Sequence, residues 1–383
     1  MKSMRMLVLI LCTCFVSVAW GQQPAVTVLP DWLQFHRATM NRWNSFENVI
    51  NVNDVGNLGL KWSHATGSFV YSSPATANGV VYVGSYDGNV YALKTSTGAK
   101  LWSYRTGFYV ASSPAVVNGV VYIGSYDGNV YALNASTGAL LWSYKTGDKN
   151  GDDAPASPTV VNGVVYIGSA DGVNPDGRVY ALNASTGALL WSYPTAGVDS
   201  SPAVVNGVVY IGSYDGNVYA LKASTGALLW SYTSFGVSSS PAVANGVVYI
   251  VSGDGNVYAL KASTGALLWS YTTGYYVVSS PAVANGVVYI GSEDHNVYAL
   301  DASTGALLWS YLTGNDVGSS PAVANGVVYV GSDDGNLYAL NASTGALLWS
   351  YLTGSSVSSS PAVVNGLVLV GSDDYKVYAF NLK

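Results

Sequence analysis

Short apolar runs, separated by two-residue turns of polar and glycine residues, recur along most of this chain. In a typical unit the runs are rich in β-branched and aromatic residues and are too short for helices. Asn118-Gly119 and Asp127-Gly128 supply the positive φ angles that tight hairpin turns require. The strands predicted for this unit are residues 112–117, 120–125, 129–134 and 139–144. The pattern therefore predicts four short antiparallel strands per unit.

The four-strand unit repeats about every 40 residues. Each copy carries one tryptophan in its last predicted strand, and most tryptophan-to-tryptophan steps are 39 or 40 residues. These residues are Trp62, Trp102, Trp142, Trp191, Trp230, Trp269, Trp309 and Trp349. Four short antiparallel strands per repeat are typical of a propeller blade. The sequence therefore predicts an all-β fold, an eight-bladed β-propeller formed by residues 58–383.

The two ends of the repeat region complement each other. The last repeat supplies three strands, ending at Tyr378-Ala379-Phe380, and has no tryptophan strand of its own. The first repeated element, residues 58–64, is a tryptophan strand with no partner before it. Pairing the Trp62 strand with the C-terminal three strands completes the eighth blade and removes the exposed edges of an open array.

The N-terminal residues predict export. Lys2 and Arg5 precede an apolar run over residues 6–18, and Ala19 and Gly21 provide small residues for cleavage. Residues 1–21 are therefore predicted to be a signal peptide, followed by an N-terminal extension over residues 22–57. The apolar run is too short to span a bilayer. We expect a periplasmic or secreted protein without a transmembrane segment.

Composition excludes several classes of function. Charged residues make up 9% of the chain, and removing Lys2 and Arg5 takes the formal charge from −6 to −8. An acidic chain without basic runs is a poor partner for nucleic acid. Both cysteines, Cys12 and Cys14, lie in the predicted signal peptide. The mature protein is thus expected to have no disulfide, thiol nucleophile or thiolate metal site.

The segment 131–142, Tyr-Ala-Leu-Asn-Ala-Ser-Thr-Gly-Ala-Leu-Leu-Trp, resembles the tryptophan-docking repeat of the pyrroloquinoline-quinone (PQQ) propeller superfamily. The Thr-Gly pair recurs in seven copies, and the N-terminal stretch 31–36 also resembles how such proteins begin. The resemblance covers essentially the whole mature chain. It implies that each tryptophan lies between neighbouring blades and stacks on a glycine of the next motif, as a large flat ring can where glycine leaves room.

The superfamily resembled here includes quinoprotein alcohol and sugar dehydrogenases and non-catalytic, BamB-like members, so the fold alone does not decide the function. The dehydrogenases hold PQQ and calcium near the axis, with an Asp base, Arg and acidic ligands. None of these residues matches a position in this chain. His36, His64 and His295 show no metal-ligand spacing. We therefore predict no catalytic residues, no cofactor and no metal, with PQQ and calcium as the alternative.

The two connections that vary between repeats emerge on one face of a four-stranded meander. The loops after the tryptophan strands and the Asp-Gly turns form this loop face, whereas the Asn-Gly and Thr-Gly turns form the opposite, turn face. The third full repeat carries insertions in both variable connections, which include Asp148, Asp152, Asp153, Asp171 and Asp176. These carboxylates either bind a hard cation or form a solvated acidic loop pair.

Aromatic residues also decorate the loop face. The candidates for binding are Phe108, Tyr109, Tyr275 and Tyr276, together with the inserted aspartates. They either contact a protein or glycan or close the mouth of the axial channel, which the Ser-Ser-Pro-Ala starts of the inner strands should line. The first hypothesis is an exported monomeric scaffold that binds a protein, peptide or glycan. The alternatives are a PQQ-dependent dehydrogenase and a structural or adhesive repeat protein.

Overall fold

Each repeat folds into one antiparallel sheet, and the sheets are arranged around a common axis as eight blades. The structure is a computed structural model that describes residues 31–37, 39–146, 154–170 and 177–383. The turn residues adopt the predicted conformations, for example φ 51° at Asn118 and 76° at Gly119. The predicted eight-bladed, all-β fold is confirmed.

From the axis outward, each blade contains four strands in the order inner, second, third and outer. In blades 1 to 4 they are Ala75–Ala77, Val80–Gly84, Asn89–Lys94, Lys100–Arg105; Ala115–Val117, Val120–Ser125, Asn129–Asn134, Leu140–Lys145; Thr159–Val161, Val164–Ala170, Arg178–Asn183, Leu189–Pro194; and Ala203–Val205, Val208–Gly212, Asn217–Lys222, Leu228–Thr233. In blades 5 to 8 they are Ala242–Ala244, Val247–Val251, Asn256–Lys261, Leu267–Thr272; Ala282–Ala284, Val287–Gly291, Asn296–Asp301, Leu307–Leu312; Ala322–Ala324, Val327–Gly331, Asn336–Asn341, Leu347–Leu352; and Ala362–Val364, Leu367–Ser372, Lys376–Leu382, Leu58–Ala65. Ala154–Pro155 pairs with the second strand of blade 3, Trp43–Asn44 pairs in parallel with the inner strand of blade 7, and Val55–Asn57 is a 3₁₀ turn.

The ring closes as the sequence predicts. The strand Leu58–Ala65 pairs antiparallel with Lys376–Leu382, with Trp62 opposite Ala379. The first strand of the repeat region therefore becomes the outer strand of the last blade. This closing strand joins the two ends of the repeat region in one sheet.

The tryptophans lie between blades. A Cβ atom added to Gly138 of blade 2 would lie 2.7 Å from the Trp102 ring of blade 1, so only glycine leaves room for the indole. Trp102 Nε1 also donates to Ala135 O (2.9 Å), which accepts from the Tyr82 hydroxyl as well (3.1 Å). The same stacking joins Trp62 to Gly98, Trp142 to Gly187, Trp191 to Gly226, Trp230 to Gly265, Trp269 to Gly305 and Trp309 to Gly345.

Paired glycine variants separate this stacking from backbone strain. Gly138→Ala and Gly119→Ala each place alanine at a positive φ, 73° and 76°, which costs about 1–2 kcal/mol. Only the Gly138 variant also forces a Cβ against an indole, because nothing lies within 4 Å of the Gly119 position. We expect Gly138→Ala to lose about 1–3 kcal/mol more in chemical unfolding. Equal losses would contradict the docking role of the indole.

The contact between blades 7 and 8 differs from the others. Trp349 Nε1 donates to Leu58 O of the closing strand (3.1 Å), and its ring packs edge-on against Phe380 at 5.2 Å. The Tyr329 hydroxyl is buried without a hydrogen-bond partner among the described residues, whereas the equivalent Tyr289 donates to Ala342 O (3.1 Å). Between blades 7 and 8, the closing strand thus provides the contact for the tryptophan that the docking motif of the next repeat provides elsewhere.

Residues 31–37 and 39–50, here called the axial segment, run around the propeller axis and contact every blade in chain order. Backbone bonds join Trp32 to blade 1, Leu33 to blade 2, Met40 to blade 5, Asn41 to blade 6 and Arg42 to blade 7. Side-chain bonds from Gln34, His36 and Asn44 reach blades 3, 4 and 8. The free edges of the inner strands are thereby hydrogen-bonded.

The axial segment fills the turn-face end of the channel. Asp31, Glu47 and Ile50 bond to Asn78, Gly366 and Asn325, which are all residues of the Asn-Gly turns. Residues 22–57 were predicted simply as an N-terminal extension, and the inner-strand starts were predicted to line the channel. The inner-strand starts do line the axis, but a segment of the chain itself occupies one end.

Candidate functional site

The two faces differ as the meander predicts. On the turn face, the third-strand end of each blade contacts its Asn-Gly turn, for example through Thr95 N and Gly79 O (3.0 Å). On the loop face, the interblade loop contacts the Asp-Gly turn of the next blade, for example through Tyr86 N and Phe69 O (2.9 Å). The variable connections of one blade therefore support those of its neighbour.

The aspartates in the turns between the second and third strands are hydrogen-bonded to the backbone and side chains around them. Asp87 accepts from the amide of Asn89 (2.8 Å), the hydroxyl of Tyr91 (2.6 Å) and the amide of Gly67 in the preceding loop (2.6 Å). Burial acts to raise the pKa of Asp87, but these hydrogen bonds outweigh it and hold the pKa below its usual value. The same tyrosine bond recurs at Asp127, Asp215, Asp254, Asp294, Asp334 and Asp374. These carboxylates fix turns and link blades, as the turn interpretation of the Asp-Gly pairs expects.

Because of this network, the phenols of the turn tyrosines ionise only at high pH. Burial, and next the hydrogen bond to the turn aspartate, raises the pKa of Tyr91, and likewise of Tyr131 and Tyr338, far above the unfolded value of about 10. The folded state binds these protons more tightly, so their stabilisation is complete below pH 10 and is lost as the pH rises above it. We expect part of the rise in 295 nm absorbance to occur in a late, steep step that coincides with loss of circular dichroism. Ionisation of all the tyrosines with the fold intact would contradict this network.

The predicted aromatic candidates lie in two separate places on the loop face. Phe108 and Tyr109 contact each other at 4.1 Å, and Tyr109 stacks on Tyr86 at 4.9 Å. Tyr275 and Tyr276 meet edge to face at 5.3 Å. All four candidates have more than two fifths of their surface exposed. They are therefore accessible, but they do not form one patch.

Tyr275 and Tyr276 line an open cleft of about 400 Å³ between blades 5 and 6, together with Phe235, Gly253 and Asp254. Phe235 stands where most other interblade loops have glycine, and its amide donates to Ser252 Oγ (3.2 Å). Asp254 is exposed, and its carboxylate accepts from Asn256 and Tyr258. The other predicted candidates, Asp148, Asp152, Asp153, Asp171 and Asp176, lie outside the described residues.

The loop-face mouth of the channel holds a group of aromatic and acidic residues in addition to the predicted candidates. Tyr71, Tyr86 and Tyr126 cluster there, with ring distances of 4.8 Å and 6.0 Å from Tyr86. Electrostatic interactions link Tyr71 to Asp373 of blade 8 and to Asp333 of blade 7. Aromatic residues of the first blades and acidic residues of the last blades thus meet at one opening.

The carboxylates at the mouth are crowded. Ser358 Oγ lies 3.4 Å from Asp333 Oδ1 and 3.3 Å from Asp373 Oδ2, and thereby bridges the two side chains. Burial, and then the neighbouring charge of Asp333, raises the pKa of Asp373 to about 6 although Ser358 acts to lower it. Burial and the charge of Asp316 also raise the pKa values of Asp333 and Glu293. An additional positive charge at this mouth would relieve the repulsion.

Comparison with known proteins agrees with this architecture. The family model described as outer membrane protein assembly factor BamB matches residues 57–176, 175–311 and 312–383, and so covers almost the entire propeller. The chain belongs to the BamB family. This membership also places it among the PQQ-repeat propellers, as the docking motif predicts. Among curated proteins, no sequence matches it significantly.

Solved structures of both BamB proteins and dehydrogenases share the fold. BamB from Moraxella catarrhalis has a TM-score of 0.72 and 21% identity, covering 85% of this chain and 99% of that chain. A quinohemoprotein alcohol dehydrogenase from Comamonas testosteroni has a TM-score of 0.80 and 19% identity, with coverages of 92% and 80%. A europium-containing methanol dehydrogenase has a TM-score of 0.79 and 18% identity, with coverages of 92% and 98%. Identities this low show the fold alone.

Among the described residues, no basic side chain pairs with the mouth carboxylates of this BamB-family chain, so the chain offers no cationic partner of its own there for PQQ. That quinone carries carboxylate groups, and the mouth already holds carboxylates with raised pKa values. Of the described basic side chains, Lys376 reaches Asp374 (3.0 Å) and His295 reaches Asp316 (2.9 Å). None of those described donates a hydrogen bond to Glu293, Asp333 or Asp373. An anionic cofactor would therefore meet repulsion without a compensating cation.

No helix within residues 31–37, 39–146, 154–170 and 177–383 is long and apolar enough to cross a membrane.

Proposed function

We propose that this chain is an exported, non-catalytic propeller of the BamB type that holds a protein, peptide or glycan on its loop face. The observation that carries the proposal is the division of the loop face into a fixed framework and exposed side chains. The turn aspartates are held by hydrogen bonds, whereas Phe235, Tyr275 and Tyr276 are exposed above them. Rigidly supported, exposed aromatic groups are suited to binding rather than to chemistry.

The opposite face is less suited to this role. The axial segment covers the turn-face end of the channel, and the Asn-Gly turns there repeat with little variation. Specificity requires side chains that differ between blades, and these lie on the loop face. The dehydrogenase alternative needs cationic partners for an anionic quinone, and no described basic side chain pairs with the mouth carboxylates.

A paired capture experiment tests the proposal. Tyr275→Ser with Tyr276→Ser removes exposed aromatic surface from the loop face. Leu307→Ser with Leu308→Ser removes similarly exposed apolar surface from the outer strand of blade 6. We expect partner capture from an envelope extract to be lost with the first pair and kept with the second. Shortening the inserted loops, 147–153 and 171–176, tests the predicted contribution of their aspartates.

Two outcomes would contradict the proposal. One is equal capture by both paired variants, which would place binding elsewhere. The other is stoichiometric retention of PQQ and calcium by the purified protein, with dye reduction in the presence of alcohols or sugars. The second result would establish a dehydrogenase.

A further inference from the structure

One position of the repeat divides the loop-face mouth into two halves. The residue before the turn aspartate is tyrosine in blades 1, 2 and 4 but acidic in blades 6, 7 and 8. The tyrosines are Tyr86, Tyr126 and Tyr214, and the acidic residues are Glu293, Asp333 and Asp373. Because the surrounding repeat is nearly constant, these side chains occupy equivalent places around the axis. The mouth therefore has an aromatic arc and an acidic arc.

The aromatic arc is continuous across blades 1 and 2. Tyr86 stacks on Tyr109 with an interplanar angle of 14° and lies edge to face with Tyr71. Phe69 extends the cluster to Tyr375 at 5.1 Å. The rings support one another, so they present a preformed surface. Their faces carry the negative part of the ring quadrupole, which attracts cations.

The acidic arc adjoins this surface directly. Tyr71 belongs to the aromatic cluster and interacts with Asp373, and Asp373 shares Ser358 with Asp333. The Asp373 Oδ1 atom is buried and has no hydrogen-bond partner among the described residues. The described basic side chains nearby, Lys376 and His295, are paired with other carboxylates. The arc thus carries unbalanced negative charge beside a wall of aromatic rings.

From this juxtaposition we propose that the loop-face mouth binds an extended peptide segment through its arginine or lysine side chains. The cationic head lies between Asp333, Asp373 and the Tyr71 ring, and the stem packs along the aromatic arc. A neutral glycan would stack on the rings but leave the carboxylates uncompensated, and nucleic acid would be repelled. The proposal rests on the binding function proposed above and names the chemistry of its partner.

Defined peptides test this proposal without knowledge of the natural partner. The probes are labelled (Gly-Ser-Arg)₄ and (Gly-Ser-Gln)₄, and binding is measured by fluorescence anisotropy. We expect the arginine peptide to bind, and its affinity to fall about tenfold or more in the double variant Asp333→Asn/Asp373→Asn. Tyr86→Leu, which keeps an apolar side chain but removes the ring, should weaken binding by about two- to fivefold.

The matched control is Asp301→Asn, on the turn face. It removes one negative charge from a half-buried site, and Asn134 and Asn341 already occupy the equivalent position in other blades. The affinity for the arginine peptide should change less than about twofold in this variant, because the charge lies on the opposite face of the propeller from the mouth. Ser358→Lys provides a second test. It places a cation of the protein itself in the acidic arc and should therefore prevent the arginine peptide from binding.

Three results would contradict the proposal that the mouth binds a cationic peptide. These are equal binding of both probes, equal effects of Asp301→Asn and the double variant, and binding of maltoheptaose in place of the arginine peptide. If the envelope partner is still captured through Tyr275 and Tyr276 in any of these cases, the binding function stands and only the partner chemistry fails. If capture also fails on the loop face, both proposals fall.

Discussion

Arg42→Ala should destabilise the propeller by about 3–5 kcal/mol, because hydrogen bonds to a charged group contribute about 1.5–3 kcal/mol each and the cost of burying the charge offsets part of their sum. The guanidinium lies inside the channel, completely buried, and donates to the carbonyl oxygens of Phe35, Ser320, Pro321 and Pro361. Burial lowers the pKa of Arg42 to about 9, so the group is still charged at neutral pH. Without it, four carbonyl groups from the axial segment and blades 7 and 8 lose their donors.

Chemical unfolding of three variants measures this effect. Arg105→Ala is the control, because Arg105 is exposed and makes one bond to Asp87 O (3.2 Å). Arg42→Lys keeps a charge but has three donors and no planar fork, so we expect an intermediate loss. Hydrogen exchange should also accelerate at the amides of Val243, Val283 and Val323, which bond to the axial segment. If Arg42→Ala is as stable as Arg105→Ala, the axial segment does not brace the ring.

The blades were predictable because their signals are local. Alternating apolar residues and the Asn-Gly and Asp-Gly pairs determine strand and turn within a few positions, and the repeat copies that information around the ring. Ring closure was predicted from the lone tryptophan strand at the start of the repeat region and the three strands at its end. The pairing of Trp62 with Ala379 confirms it. These inferences need only the order of residues along the repeats and at the two ends of the repeat region.

The axial segment was not predictable in the same way. Residues 31–50 have no periodic pattern, and most of their bonds to the inner strands come from backbone carbonyls that any residue provides. The acidic arc was missed for a different reason. Asp333 and Asp373 stand next to turn aspartates, so the sequence suggests that they too belong to the turns. They come close to Tyr71 only because ring closure places blade 8 beside blade 1.

Replacing residues 58–64 with a glycine-serine linker of equal length should open the ring. The closing strand buries Leu58 and Trp62, and loss of such side chains costs about 2–5 and 3–5 kcal/mol respectively. Two seams are affected, because Trp62 stacks on Gly98 of blade 1 and Leu58 O accepts from Trp349 of blade 7. The strand Lys376–Leu382 would then be left as an unpaired edge, which favours pairing with another chain.

The matched control replaces Leu140–Lys145, the outer strand of blade 2, with the same linker. This change also removes one outer strand and one docking tryptophan, but consecutive blades still hold the ring together. We expect the control to melt earlier and remain monomeric, whereas the closing-strand variant forms oligomers or aggregates in size-exclusion chromatography. A synthetic peptide of residues 57–66 should restore the monomer by pairing with the exposed edge. Identical behaviour of the two variants would mean that stability depends on each blade separately, and that closure by the first strand adds nothing beyond an ordinary outer strand.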